Sequence, residues 1–208
     1  MAGIEEILNK IKSIDDVLPG TQAGYMILRL IELGELKISP FDEGYLTNMN
    51  YKLHFNNKFR TPKEESKPID LSSAESIEAS FYPYAEKDVH ILKPMESVIC
   101  QSFEKVGLST YLIARLENTT QLGRVFINHS AHGCVNAGHG VNEPFNIMVE
   151  ITNLGRSPVR LEAAKLIDGK IVGPECFRMY IEKIPYPAED YKRISFSKTL
   201  RMDASDRS

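Results

Sequence analysis

From Val89 onward the apolar residues come only in short runs, each closed off by turn-forming residues. Val98 to Cys100, Tyr111 to Leu116, Val125 to Ile127, Val159 to Leu161 and Met179 to Ile184 are examples. That rhythm predicts an all-β sandwich or barrel. A helical segment precedes it. Ile4 to Ile14 carries apolar residues at helical spacing and reads as a helix ending near Asp15-Asp16, broken at Pro19-Gly20. A second helix runs from about Ala23 to Leu33, with Thr21 as the expected N-cap and Gly34 as the stop. The organisation expected is a helical segment over 1–35, a β-barrel over 36–185 and a polar tail over 186–208.

Between these, Leu36 to Phe41 alternates briefly and ends at Pro40-Phe41, and Tyr51 to Phe55 alternates again. Asn56-Asn57 reads as a turn, and Lys58 to Lys67 as an exposed loop. Ile147-Met148-Val149-Glu150-Ile151-Thr152-Asn153-Leu154-Gly155 reads as a buried strand with apolar residues on both faces and one carboxylate in its middle. A lone buried carboxylate is costly. Either Glu150 faces solvent from an edge strand, or it is satisfied by a partner, or it works in a wet cavity.

The chain has 208 residues, and its 42% hydrophobic content can support a core. A net charge of -3 provides no global basic field for nucleic acid, though a small phosphorylated ligand needs only a local patch. Three scattered cysteines, Cys100, Cys134 and Cys176, argue for a reducing compartment. No apolar run reaches the roughly 20 residues of a membrane span, and Met1 to Lys12 lacks the apolar centre of a signal peptide. A soluble cytoplasmic protein without membrane or direct nucleic-acid contacts is the expectation.

Phosphate-loop, dinucleotide and nucleophile-elbow motifs are absent. His129, His132, Cys134 and His139 lie close together but match no zinc spacing. The favoured reading of this segment is a tight loop in which Gly133, Gly138 and Gly140 let the backbone approach a ligand; a structural metal is the alternative. The zinc-deaminase signature is missing as well.

In order and spacing, several stretches resemble the trimeric dCTP deaminases, relatives of the trimeric dUTPases. These are Ile31 to Phe41, Asn50 to Phe55, Leu92 to Glu96 followed by Glu104-Lys105-Val106, and above all Glu150-Ile151-Thr152-Asn153-Leu154-Gly155, which is similar to the family's Glu-x-x-Asn-x-Gly strand. The resemblance implies a mainly β fold, a distorted jelly-roll (dUTPase-like) β-barrel with N-terminal helices, assembled as a homotrimer with sites between subunits. It implies zinc-independent deamination of dCTP at C4 of cytosine, giving dUTP, with Glu150 as general base on the attacking water. Asn153 would brace the strand or the glutamate. Mg²⁺ would arrive on the nucleotide's phosphate oxygens.

The departures fall at ligand positions. The family's Gly-Arg-Ser-Ser phosphate loop aligns with Glu117-Asn118-Thr119-Thr120, so Thr119 and Thr120 stand for the serines but Asn118 for the arginine. Asparagine cannot reproduce an arginine's bidentate grip on phosphate. Arg115 and Arg124 are the candidate substitutes. Asn136 replaces an aspartate and can bond a sugar hydroxyl but cannot be a base. Ala131 and His132 belong to the loop expected to contact base and sugar. Bland readings stand beside these: turn residues for Thr119 and Thr120, a loop histidine for His132, surface charge for Arg124. Three functions follow: dCTP deamination, a catalytically impaired nucleotide-binding or regulatory protein, and dUTP pyrophosphate hydrolysis, the last disfavoured by Asn136.

Overall fold

The computed structural model describes residues 2–64, 68–129 and 133–188. Two helices lead, α1 (Ala2–Lys10) and α2 (Gly24–Glu32). α2 buries Met26, Ile27 and Leu30, one stripe of an amphipathic helix. Gly34 ends it at φ 75°, a left-handed value natural to glycine. The periodicity of Ile4 to Ile14 does not give one helix. α1 stops at Lys10, and a separate 3-10 turn forms at Ile14–Asp16. There the Asp16 carboxylate accepts the backbone N–H groups of Lys12 and Ser13 at 2.8 and 2.9 Å. Thr21 does not cap α2 either. It lies in β1 (Gly20–Thr21), opposite Glu182, and Ala23 holds the cap position.

Strands then dominate: β2 (Leu36–Ser39), β3 (Tyr51–Arg60), β4 (Ala85–Glu86), β5 (Val89–Leu92), β6 (Ser97–Leu108) and β7 (Leu112–Asn118). They continue with β8 (Ile127–His129), β9 (Cys134–Val135), β10 (Phe145–Asn153), β11 (Val159–Glu162), β12 (Lys165–Ile167), β13 (Lys170–Val172) and β14 (Glu175–Lys183). Two short helices, α3 (Ala74–Ala79) and α4 (Thr120–Arg124), interrupt them. A ten-stranded sheet runs β8-β10-β6-β3-β14-β7-β9, with β1, β2 and β4 added at β14, β6 and β3. The pairs β11-β5 and β12-β13 complete the fold. All pairings are antiparallel, as the mainly β expectation requires.

Two sequence expectations fail here for physical reasons. Asn56-Asn57 is not a turn: β3 runs through it to Arg60, and the pairing with β6 slips between Phe55 and Phe59. An irregularity in a long strand absorbs the asparagines. The 147–155 strand is also not buried on both faces. Ile147, Val149, Ile151 and Asn153 point into the core, while Met148 is exposed and Glu150 and Thr152 are half-buried on the outer face. Strict side-chain alternation makes these two sets inseparable.

The core packs Leu53, Phe55, Phe59, Val149, Ile151 and Phe177, with Phe55 edge-on to Phe177 at 5.7 Å. Within it lies a fully buried polar pair. His54 Nδ1 stands 2.6 Å from Glu104 Oε1, and the His54 backbone N–H donates to Glu104 Oε2 at 3.1 Å. Tyr45 packs edge-on against the imidazole at 4.2 Å. Burial, with the Glu104 charge adding to it, holds the Cys176 thiol well above its usual range, so this cysteine stays protonated.

Removing one half of a buried pair strands the other half in a low dielectric. Glu104→Ala is therefore expected to cost roughly 3 kcal/mol or more, read as the shift in urea midpoint. A variant within experimental error of the parent would show that the pair bears no weight.

Candidate active site

Glu150 stands on the outer face of β10, opposite Ile99 of β6. On its other side β8 pairs with β10 through Ile151↔His129, Thr152↔Asn128 and Asn153↔Ile127. Glu150 thus lies one register step beyond Ile151↔His129, the last described pair of β8 and β10. Ala131 and His132 lie outside the described residues. Glu150's neighbours on the face are Met148 and Thr152, the latter bonded to Ser97 at 2.7 Å between hydroxyls. Its charge acts through the strand: it adds to the burial that raises the thiol of Cys100 on β6. A half-buried carboxylate on a rigid strand can hold a water and take its proton.

Asn153 is fully buried and braces the strand, not the glutamate. Its amide donates to the carbonyls of Leu92 at 3.0 Å and Ser157 at 2.9 Å, and its carbonyl accepts the Gly155 N–H at 2.9 Å. A Cβ at Gly155 would lie 2.8 Å from the Val125 carbonyl oxygen, so the turn closes only around glycine. Beside that turn opens a cleft of about 560 Å³, lined by Arg124, Phe126, Leu154, Arg156 and Val159 among others. Arg124 therefore belongs to this cleft, and its side chain is exposed.

The 117–120 stretch sits at the end of β7, where it passes into α4. Thr119 is buried and its hydroxyl donates to the Glu175 carbonyl at 3.3 Å, so it is committed to the fold. Thr120 is exposed, and its hydroxyl accepts an N–H of Arg178 at 2.8 Å. Asn118 turns inward: its amide donates to the Ile127 carbonyl at 2.9 Å, while its side-chain oxygen is buried without a partner among the described residues. It ties the end of β7 to β8. Arg115 lies near Glu117 at 3.6 Å and Glu182 at 3.5 Å and over the Tyr180 ring at 5.5 Å. Arg178 is the functional candidate that motif reading missed. It comes from β14, distant in sequence, and only its placement across from Glu117 brings it to this turn.

Gly140 of the 133–140 loop serves a close backbone contact with β6. A Cβ at Gly107 of β6 would fall 2.7 Å from the Gly140 carbonyl oxygen, so the two glycines let the loop cross β6. Asn136 is exposed at the loop's surface, and its carbonyl accepts the His139 N–H at 3.2 Å. His129 packs its ring on Phe177 and His139 on Phe145. Among the described residues no three His, Cys, Asp or Glu side chains cluster as a metal site. Within one chain β6, β3 and β14 separate β10 from β7 along the sheet path. Among the described residues, none of the bonds of Arg115, Thr119, Thr120 or Asn153 reaches Glu150.

Residues 22–168 match the family described as dCTP deaminase-like. The chain belongs to the dCTP deaminase-like family. Among its relatives is the dCTP deaminase, dUMP-forming, of Streptomyces coelicolor, 28% identical over 165 residues that span 77% of this chain and 82% of that protein. Another of the same name, from Methanothermobacter thermautotrophicus, is 32% identical over 143 residues, spanning 65% of this chain and 69% of that protein. The crystal structure of 2'-deoxycytidine 5'-triphosphate deaminase from Agrobacterium tumefaciens superposes with a TM-score of 0.57 at 15% identity. That match covers 79% of this chain and 48% of the other, and it shows the shared fold. The jelly-roll expectation is thereby met. No described helix is long and apolar enough to cross a membrane.

The 133–140 loop makes a pH test. Burial pushes the His139 imidazole down from 6.5 to about 4, against a bond with the Phe145 backbone. Above pH 6.5 the ring is neutral whether the chain is folded or not. Between there and about 4 the unfolded chain binds a proton that the folded one refuses. Stability is therefore lost as pH falls through that window, by about 3 kcal/mol from this residue. Urea unfolding across the window should show His139→Gln losing correspondingly less than the parent; parallel curves would refute it.

Proposed function

We propose that this protein is a zinc-independent dCTP deaminase in which Glu150 is the general base. The observation that carries the reading is a half-buried carboxylate on the outer face of β10, within the stretch matched to the family. Glu150 takes a proton from a water, whose oxygen adds to C4 of cytosine. The proton is then passed to the exocyclic nitrogen, which leaves as ammonia. Water and dCTP thus give dUTP and ammonia.

The separation of Glu150 from the 117–120 turn within one chain supports a site shared between subunits, and a homotrimer is the proposed assembly. The exposed carboxamide of Asn136 suits a sugar hydroxyl. Exposed Thr120 offers a hydroxyl to phosphate. The groups at the turn are hydroxyl and guanidinium, which suit phosphate oxygens, so Mg²⁺ is proposed to be held by the nucleotide itself. Bound there, it would offset the triphosphate's charge.

The relatives' names favour a second reading of the product. A dUMP-forming enzyme adds a further hydrolysis that releases pyrophosphate. Asn136, where a carboxylate would be the base for that step, supports release of dUTP instead. Asn118, tied inward with no arginine in its place, supports a third outcome, nucleotide binding without turnover.

Incubation with dCTP, dCMP and dUTP in the presence of Mg²⁺ separates these readings through ammonia release and product chromatography. Ammonia and dUTP are expected from dCTP. Glu150→Gln should lose roughly 100-fold or more in kcat, with little change in thermal midpoint because the side chain faces outward. Full activity of Glu150→Gln, or no product from any of the nucleotides, would sink the assignment.

A further inference from the structure

Arg178 stands in a row of charges on the outer face of the sheet. Its register partners are Lys52 on β3 and Glu117 on β7, and Arg115 lies one step along, opposite Tyr180. The other two cations of the row are matched by carboxylates. Lys52 pairs with Glu175 at 2.7 Å, and Arg115 lies near Glu117 and Glu182 at 3.6 and 3.5 Å. Glu117 faces Arg178 across the strands, but its carboxylate is turned towards Arg115. Among the described residues, the Arg178 guanidinium is held only by a neutral group, the Thr120 hydroxyl at 2.8 Å. With no carboxylate paired to it among the described residues, the guanidinium leaves positive charge at the end of β7. Its planar fork has donors to spare for two anion oxygens.

We propose that Arg178, a residue of β14 and not of the 117–120 turn, supplies the cation that grips the nucleotide's oligophosphate, with the Thr120 hydroxyl holding its fork in place. This rests on the deoxynucleotide reading above and adds to it. The arginine lost at Asn118 is replaced from the neighbouring strand, which frees Asn118 to tie the end of β7 to β8. The guanidinium approaches phosphate from a strand, so its aim is fixed by sheet register and not by loop conformation. Recognition is then of the phosphate chain and is indifferent to the base.

Two measurements on the intact protein test this. The first is calorimetric titration with inorganic tripolyphosphate; the second is the KM for dCTP. Arg178→Gln is expected to weaken tripolyphosphate binding and raise the dCTP KM, each by roughly tenfold or more, with kcat changed less than KM. Arg178→Lys, which keeps the charge without the fork, should fall between the two. Thr120→Val should weaken binding a few-fold, and it serves if the glutamine variant fails to fold. Tripolyphosphate bound as well by Arg178→Gln as by the parent overturns the proposal, as does a parent that binds neither tripolyphosphate nor dCTP. If Arg178-dependent tripolyphosphate binding is found without deamination, the anion site stands and the enzymatic reading falls. If dCTP is deaminated with the same KM in Arg178→Gln, the enzymatic reading stands and the anion site falls.

Discussion

The arrangement turns on the buried amide of Asn153. Its three hydrogen bonds join the end of β10 to the carbonyl of Leu92 and to the 154–157 turn. Its backbone adds two more, to Glu96 and Met95 at 3.0 and 2.7 Å. A buried amide left unpaired is expensive, so all of these bonds must form together. They fix where β10 ends. Because side chains alternate, fixing the end fixes the face: Asn153, Ile151 and Val149 go in, and Glu150 must go out. The position of the candidate base is thus set by a neighbour three residues away that never touches it.

The core around this strand is not purely apolar. His54 and Glu104 share a fully dry contact, and Cys100 and Cys176 bond the backbone carbonyls of Val149 and Leu53 at 3.3 and 3.1 Å. These polar contacts link β3, β6, β10 and β14, the strands between Glu150 and Arg178. A wrong register among them would leave a charge or a carbonyl unsatisfied, which is a stronger penalty than a misplaced methyl group. Glu150 and Arg178 are therefore carried by one continuous sheet.

Family membership and the altered ligand positions fit together once the residues are placed. The scaffold stretches retain their apolar pattern because they pack. Thr119 and Asn118 stand at ligand positions of the motif but serve the fold here, one bonded to Glu175 and the other to Ile127. Thr120 and Arg178 remain as the polar pair presented to solvent.

The sequence by itself determined the mainly β architecture, the α2 helix with its glycine stop, and the Glu150 to Gly155 stretch that carries the family likeness. Each of these rests on local signals: short apolar runs, a stop residue, a contiguous motif. Tertiary structure decided which way Glu150 faces: Ile147, Val149, Ile151 and Asn153 are buried together, so the alternating set that carries Glu150 lies outside. It also decided that Asn56-Asn57 falls in an irregular stretch of β3 instead of a turn and that Gly140 meets β6, since both depend on a strand far away in the chain. Arg178 was illegible for the same reason: its value lies in standing beside Thr120, 58 residues earlier, and no spacing rule encodes a register between strands.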